Sequence, residues 1–574
     1  MNIFTEEQQQ RLQGTGRILA LVGAAIMAVS AYLAWSYGPR VLDNMTFWFG
    51  PSPLQFAFLA FAVFLAVLVV AGTFGQRKGT LARVGWKRAA KTAATTAVLF
   101  VLGCLFAITL ALGGLINIEA GGWVALAGAL IAWLGTRMLP AGPEASLERA
   151  AGKSWLQILA IVVVMAAALF AAAYILEVED SGAFLVVIIG VFGLVMTLNK
   201  LGLATWFRTA ANHNRQALIL AAFVVAFAFP FTQGGSDANM SIAVQVLIFA
   251  GTALGLNIVV GLAGLLDLGY IAFLGAGAFT AAVLSKSAFA TFLPNFKPPF
   301  ILVMLISGCI AGIFGLIIGS PTLRVSGDYL AIVTLAFGEI FRIGMNNLDG
   351  SDGPDITHGS NGIPGIPNLN LFGFDFGESH TILGVLIGRF ANYYWLMLLV
   401  IGLIILVFVN LNNSRIGRGW VAIREDEKAA EAMGVNTFGL KLLAFAGGAF
   451  LAGLAGTVKA HVDVSVTPDQ YIFLESAFLL AAVVLGGMGT VLGVLVGATI
   501  LKLLPEKLRI ISDARLLAFG LLLVLMMRFR PEGLIASERR QLEFHEEDQE
   551  LADQVEETID LFHPEVTADA QEKS

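Results

Sequence analysis

Uninterrupted apolar runs, each close to the ~20 residues one helix needs to cross a bilayer, govern what this chain can fold into. In the first part they fall near 17–37, 54–74, 93–116, 120–136, 155–176, 183–198 and 216–233. A second series lies near 241–260, 264–285, 300–319, 329–345, 393–411, 440–460, 472–488, 489–504 and 514–529. Lipid offers the backbone no hydrogen-bond partner, so such runs must be helical. Transmembrane strands alternate apolar and polar residues instead, which these runs do not do. The charged fraction agrees: 13%, against about 25% in an ordinary soluble domain. The expected fold is an all-α, polytopic membrane helical bundle of about 16 apolar segments, some of them re-entrant, with both termini cytoplasmic.

Basic residues set the expected orientation, because short loops rich in Lys and Arg stay on the cytoplasmic side. Arg77, Lys78, Arg83, Lys87, Arg88 and Lys91 share one loop; Arg137, Arg149 and Lys153 lie two spans on, and Lys200, Arg208 and Arg215 two spans later. Arg324, Arg528, Arg530, Arg539 and Arg540 fall on the same side. Lys286, Lys297, Lys507 and Arg509 are exceptions near span ends, where long side chains snorkel, or beside broken helices turning at 261–265 or 489. The opening MNIFTEEQQQRLQ does not read as a cleavable signal. The net charge of −6 belongs to the end of the chain: residues 541–574 hold twelve acidic residues and one lysine, leaving the rest at +5. Nothing here suggests nucleic acid. Cys104 and Cys309 sit inside apolar runs and read as buried packing thiols, not as a disulfide or a metal site.

Three stretches outside the spans stand out. Arg415–Asn436 places eight charged residues between two long apolar runs of the second half. Arg424/Glu427 and Lys428/Glu431 have the spacing of helical ion pairs, Ile423, Ala430 and Met433 gather on another side, and Gly434 fits a helix stop. Asn436 or Thr437 can cap the next helix. The reading is one short amphipathic helix, either a solvated connector or a docking element for a cytoplasmic partner. Residues 346–392, rich in Gly, Pro, Asn and Asp, read as turns on the opposite side: a surface loop or a site for an external partner. In the acidic tail, Leu551, Val555, Ile559 and Phe562 recur at helical spacing, so disorder competes with an amphipathic helix.

No catalytic set, metal cluster or phosphate-binding loop is visible in the sequence, so any ATP belongs to another chain. The glycine-dense stretch 251–277 carries Asn257, Asp267 and Tyr270 at lipid-depth positions. A lipid-facing charge costs about 2.5–3.5 kcal/mol on insertion scales, so Asp267 must face protein or water. It reads either as a turn residue that caps the next helix or as a substrate contact. Glu339 and Arg342 are three apart in one span and can pair; Glu475 lies near a span end, as an interfacial carboxylate or a pathway group.

Taken together, GLNIVVGLAGLLDLGYIAFLGAGAF (255–279), LRVSGDYLAIVTLAFGEIFR (323–342), GRGWVAIREDEKAAEAMGVNTFGLKLLAFAGGAFLAGLAG (417–456), TPDQYIFLESAFLLAAVVLGGMGTVLG (467–493) and MRFRPEGLI (527–535) resemble the permease subunits of bacterial branched-chain amino-acid ABC importers. The resemblance spans about 241–536. It implies a multi-pass protein of the bacterial inner membrane that works with a second related permease chain, two cytoplasmic ATP-binding subunits and a periplasmic solute-binding protein. ATP and Mg would be bound in the partner ATPases and no cofactor by this chain. Residues 241–536 would form the permease core, with a cytoplasmic coupling loop at 412–439 and an external loop at 346–392. Residues 1–240 would be a membrane extension of unassigned role, and 537–574 an acidic cytoplasmic tail. In the family's coupling loop a Glu-Ala-Ala triplet precedes a glycine by three residues; here Lys428, Ala429, Ala430 and Gly434 take those places, so lysine replaces the glutamate. With Arg424, Glu427 and Met433 they form the expected ATPase-coupling set. The competing reading is an ion-coupled secondary amino-acid transporter, with broken helices at 251–277 and 472–493 and ion-binding carboxylates at Asp267, Glu339 and Glu475. A membrane scaffold without transport is a third.

Overall fold

A computed structural model describes residues 6–36, 53–74, 84–140, 154–178, 180–285, 296, 298–322, 328–351, 354–382 and 384–507, with 517, 520, 521, 524, 525, 528 and 533–535. The acidic tail, most of the sixteenth apolar segment, and Arg77, Lys78, Arg83, Arg149, Lys153, Lys286, Lys297, Arg324, Arg509, Arg530, Arg539 and Arg540 lie outside the described residues. Each of the other fifteen apolar segments is helical, and the protein is an all-α polytopic bundle. Among the described residues, twelve helices are long and apolar enough to cross a membrane. The chain divides into two compact units, the first comprising 1–244, 376–398 and 503–515 and the second 245–375, 399–502 and 516–574.

The first unit contains α1 (Glu6–Ser30), α2 (Pro53–Phe74), α3 (Trp86–Leu112), α4 (Ala120–Arg137), α5 (Ser154–Glu177), α6 (Ser181–Leu201), α7 (Leu203–His213) and α8 (Arg215–Thr232). α1 and α4 pack closely because small residues face each other: a Cβ on Gly23 would lie 2.4 Å from the Ala132 nitrogen, and one on Gly135 2.4 Å from the Ala20 nitrogen. Trp35, Phe58 and Phe100 form an aromatic column beside them, with ring centroids 5.3 and 6.0 Å apart. The amphipathic α7 lies where sequence reading placed only a basic loop. The hairpin β3 (His380–Ile382) to β4 (Val385–Ile387) also belongs to this unit.

In the second unit the central element is α16 (Thr437–Asp463), whose stretch of Gly, Ala and Leu is buried on nearly all sides. It packs on α11 (Phe300–Thr322) and α10 (Ile271–Leu284). A Cβ on Gly453 would meet the Ser307 carbonyl at 2.8 Å, and one on Gly277 the Gly453 carbonyl at 2.4 Å, so glycine sets the helix separation. Cys104 is buried, as expected for a packing thiol; Cys309 is exposed, because α11 turns Ser307, Gly308 and Ala311 toward α16 and Cys309 away. α9 (Asp237–Asn257), α12 (Asp328–Asn347), α13 (Arg389–Asn413) and α17 (Phe473–Gly486) complete the spans and the shorter α18 (Val491–Lys507) follows; the starts of α9 and α13 and the end of α18 belong to the first unit. In the loop after α12, β1 (Asn370–Leu371) pairs with β2 (Phe374–Asp375), and Ile363 and Val466 exchange two backbone hydrogen bonds of 2.9 and 3.1 Å. Composition points to turns there, yet Ile363 and Ile366 are buried.

Candidate functional site: a broken helix beneath a charged corner

The charged stretch folds as two short helices, not one. α14 (Arg415–Glu425) starts where the Ser414 hydroxyl accepts the Gly417 N–H at 3.2 Å. Asp426 is extended, and its carboxylate accepts the Ala429 N–H at 2.9 Å, capping α15 (Glu427–Ala432). That cap breaks the continuous helix on which the Arg424/Glu427 pairing depended. Arg424 pairs with Glu425 at 2.8 Å, and Glu427 with Lys441 at 2.5 Å. Gly434 stops α15 in the left-handed region, φ 84°, and the Asn436 side chain caps α16 through the Gly439 N–H at 3.0 Å.

Burial sorts the corner into two faces. Trp420, Ile423 and Ala430 point inward, and the Trp420 indole donates to the Leu440 carbonyl at 2.7 Å. Lys428, Ala429, Glu431, Met433 and Gly434 are exposed, Met433 at 84%. Arg424 belongs to the inner side. Its Nη1 donates to the Gly261 carbonyl at 3.0 Å.

Gly261 lies in a π-helical turn, Ile258–Leu262, that ends α9 inside an apolar span. Non-helical backbone at this depth is tolerated only if its polar groups find protein partners. Side chains of α12, α14 and α17 supply them, and the segment's own side chains bond to neighbouring backbone in return. Asn257 accepts the Gly489 N–H at 2.8 Å and donates to the Thr490 carbonyl at 3.3 Å, joining the break to the α17–α18 turn. The Thr334 hydroxyl of α12 accepts the Leu268 N–H at 3.1 Å. The Ser476 hydroxyl of α17 accepts the Ile271 N–H at 3.0 Å. Tyr270 donates to the Gly448 carbonyl of α16 at 2.6 Å. Asp267 is buried and accepts the Gly269 N–H at 2.9 Å, while its Oδ2 has no hydrogen-bond partner among the described residues. It therefore shapes the turn, one of the two readings open for it, while Ser476 satisfies the N–H of Ile271 at the start of α10.

Glu339 and Arg342 pair at 2.9 Å, and Arg342 also reaches Asp469 at 3.3 Å. Glu475 pairs with Lys502 at 3.0 Å, and the Lys502 ammonium sits 4.8 Å from the Phe249 ring centroid. Asp469, Lys502, Thr334 and Ser476 are the polar groups sequence reading missed. A lone Thr or Ser in an apolar helix gives no signal of its partner.

The family model for "Branched-chain amino acid transport system / permease component" matches residues 239–528. The chain belongs to this family. It is a transport subunit and a multi-pass inner-membrane protein. The high-affinity branched-chain amino acid transport system permease protein LivM of Salmonella typhimurium is 39% identical over 345 residues, covering 57% of this chain and 76% of LivM. LivM of Escherichia coli K12 gives the same identity and coverage. LivH of Escherichia coli K12, a permease protein of such a system, is 28% identical over 144 residues, covering 25% of this chain and 46% of LivH. No solved structure is significantly similar. The broken helix, α12, α14–α17 and the charged corner all fall inside the family match, and residues 1–238 fall outside it.

Proposed function

We propose that the chain is a permease of an ATP-driven ABC importer for branched-chain amino acids. It would form the translocation path with a second related permease and be driven by two cytoplasmic ATP-binding subunits holding ATP and Mg. A periplasmic solute-binding protein would deliver substrate to the 346–392 loop. The observation that carries the reading is the pairing of the family match with the two-faced corner at 414–436. Lys428, Ala429, Glu431, Met433 and Gly434 offer a free outer face for an ATPase, while Arg424 ties the same corner to the helix break at Gly261.

Motion of a docked ATPase would thus reach a segment that also touches α12, α16 and the α17–α18 turn. Coupling of this type needs an element with two arrangements, and a π-turn held by side-chain contacts is easier to rearrange than a continuous helix. Recognition of the aliphatic side chain would rest with the binding protein, so the path itself needs no tight site. Co-expression with a second family permease and candidate ATP-binding subunits, followed by native mass measurement, tests the assembly. One copy of this chain, one of the second permease and two ATP-binding subunits are expected; recovery of this chain alone would sink the proposal.

A further inference from the structure

Residues 1–238 have no counterpart in the family match, yet they are not a compact unit by themselves: the first unit incorporates 376–398 and 503–515, both within the matched region. Three sites in that unit show how. Pro230 lies inside α8 and cannot donate to the Ala226 carbonyl one turn back. The Tyr394 hydroxyl donates to that carbonyl at 3.1 Å, and the Trp395 indole N–H donates to the Phe227 carbonyl at 3.0 Å. Their rings pack on the same turn, with Trp395 centroids 5.2 Å from Phe227 and 5.8 Å from Phe231, and Tyr394 5.7 Å from Phe229.

The second site is the end of α5. Its carbonyls lack intrahelical partners, and the buried Lys507 ammonium donates to Leu176 at 2.6 Å and Val178 at 3.0 Å. A cation is favoured there by the helix dipole. The Ser181 hydroxyl donates in return to the Lys507 carbonyl at 2.7 Å. The third is the linker: Gly235, φ 84°, lies so close to Leu386 that a Cβ would sit 2.8 Å from its carbonyl oxygen.

We infer that residues 1–244 are a built-in membrane partner of the permease region, gripping 376–398 through the proline notch of α8 and the end of α18 through the C-terminus of α5. The extension does what a separate accessory subunit would do. It holds hairpin β3–β4 and the last turn of α18 in place, and its attachment is polar and specific, not only apolar packing.

A protease site inserted at Gly234, where a Cβ would meet nothing within 4 Å, allows the intact purified chain to be cut in mild detergent. The N-terminal fragment is expected to co-elute with the remainder on size exclusion; separate elution would overturn the inference. The Tyr394→Phe, Trp395→Phe, Lys507→Met variant removes four hydrogen bonds, and its cut form is expected to release the fragment at least about tenfold faster. Release at the parental rate overturns the grip. If the triple variant loses helical circular dichroism, the Tyr394→Phe, Trp395→Phe pair is read in its place against the same two outcomes.

Discussion

Arg424 joins two directions through one guanidinium: Nη1 binds the Gly261 carbonyl, while Nε and Nη2 bind Glu425 at 3.2 and 2.8 Å. Lysine cannot span both with a single point charge. Arg424→Lys is therefore expected to lower the amino acid transported per ATP hydrolysed several-fold while leaving ATPase association intact. Parallel uptake and phosphate-release measurements check this, and an unchanged ratio would remove Arg424 from the coupling path. Asn257→Leu leaves the part-buried Gly489 N–H without its partner and is expected to cost about 1 kcal/mol, read as a lower midpoint of thermal unfolding in detergent. Gly269→Ala has no room, since its Cβ would lie 1.9 Å from the Thr334 carbonyl oxygen, and folded yield should fall sharply. Asn257, Asp267, Tyr270, Glu339, Arg342 and Glu475 were all legible in the sequence as polar groups in apolar runs. Their partners were legible only when local, as for Arg342 and Glu339. Thr490, 233 residues from Asn257, and Gly448, 178 from Tyr270, become neighbours through helix packing, which no local pattern encodes.

At the scale of elements, the charged corner has an outer face, proposed for docking, and an inner face that packs. Lys428 and Met433 lie on the outer face, whereas Ala430 is 5% exposed and packs inward. Negative charge introduced by Lys428→Glu and Met433→Glu is expected to weaken co-purification of the ATP-binding subunits at least severalfold with membrane insertion unchanged. Ala430→Arg should instead disrupt the corner itself, which limited proteolysis of the membrane-embedded chain would register. Retained ATPase binding by the double variant would move the docking surface elsewhere. The spanning helices were readable because each is a long apolar run. The division at Asp426 was missed because ion pairs at i,i+3 favour a continuous helix, while an Asp followed three residues later by Ala429 is equally an N-cap. The break at 258–270 was signalled by its glycines, though its π-turn was not: a wider turn depends on what packs around it.

Across the whole molecule, fold class and family follow from the sequence, since apolar run length and the order of five segments carry both. The recruitment of 376–398 and 503–515 into the first unit was not legible, because it rests on Pro230, Tyr394, Trp395 and Lys507, each ordinary by itself. As proposed, the chain moves amino acids only as part of an ATP-driven assembly. The direct measurement is uptake of labelled leucine, isoleucine or valine by proteoliposomes holding this chain, the second permease and the ATP-binding subunits, with solute-binding protein on one side and ATP on the other. Uptake is expected only with ATP and binding protein both present. Uptake by this chain alone on a proton or sodium gradient would contradict the account.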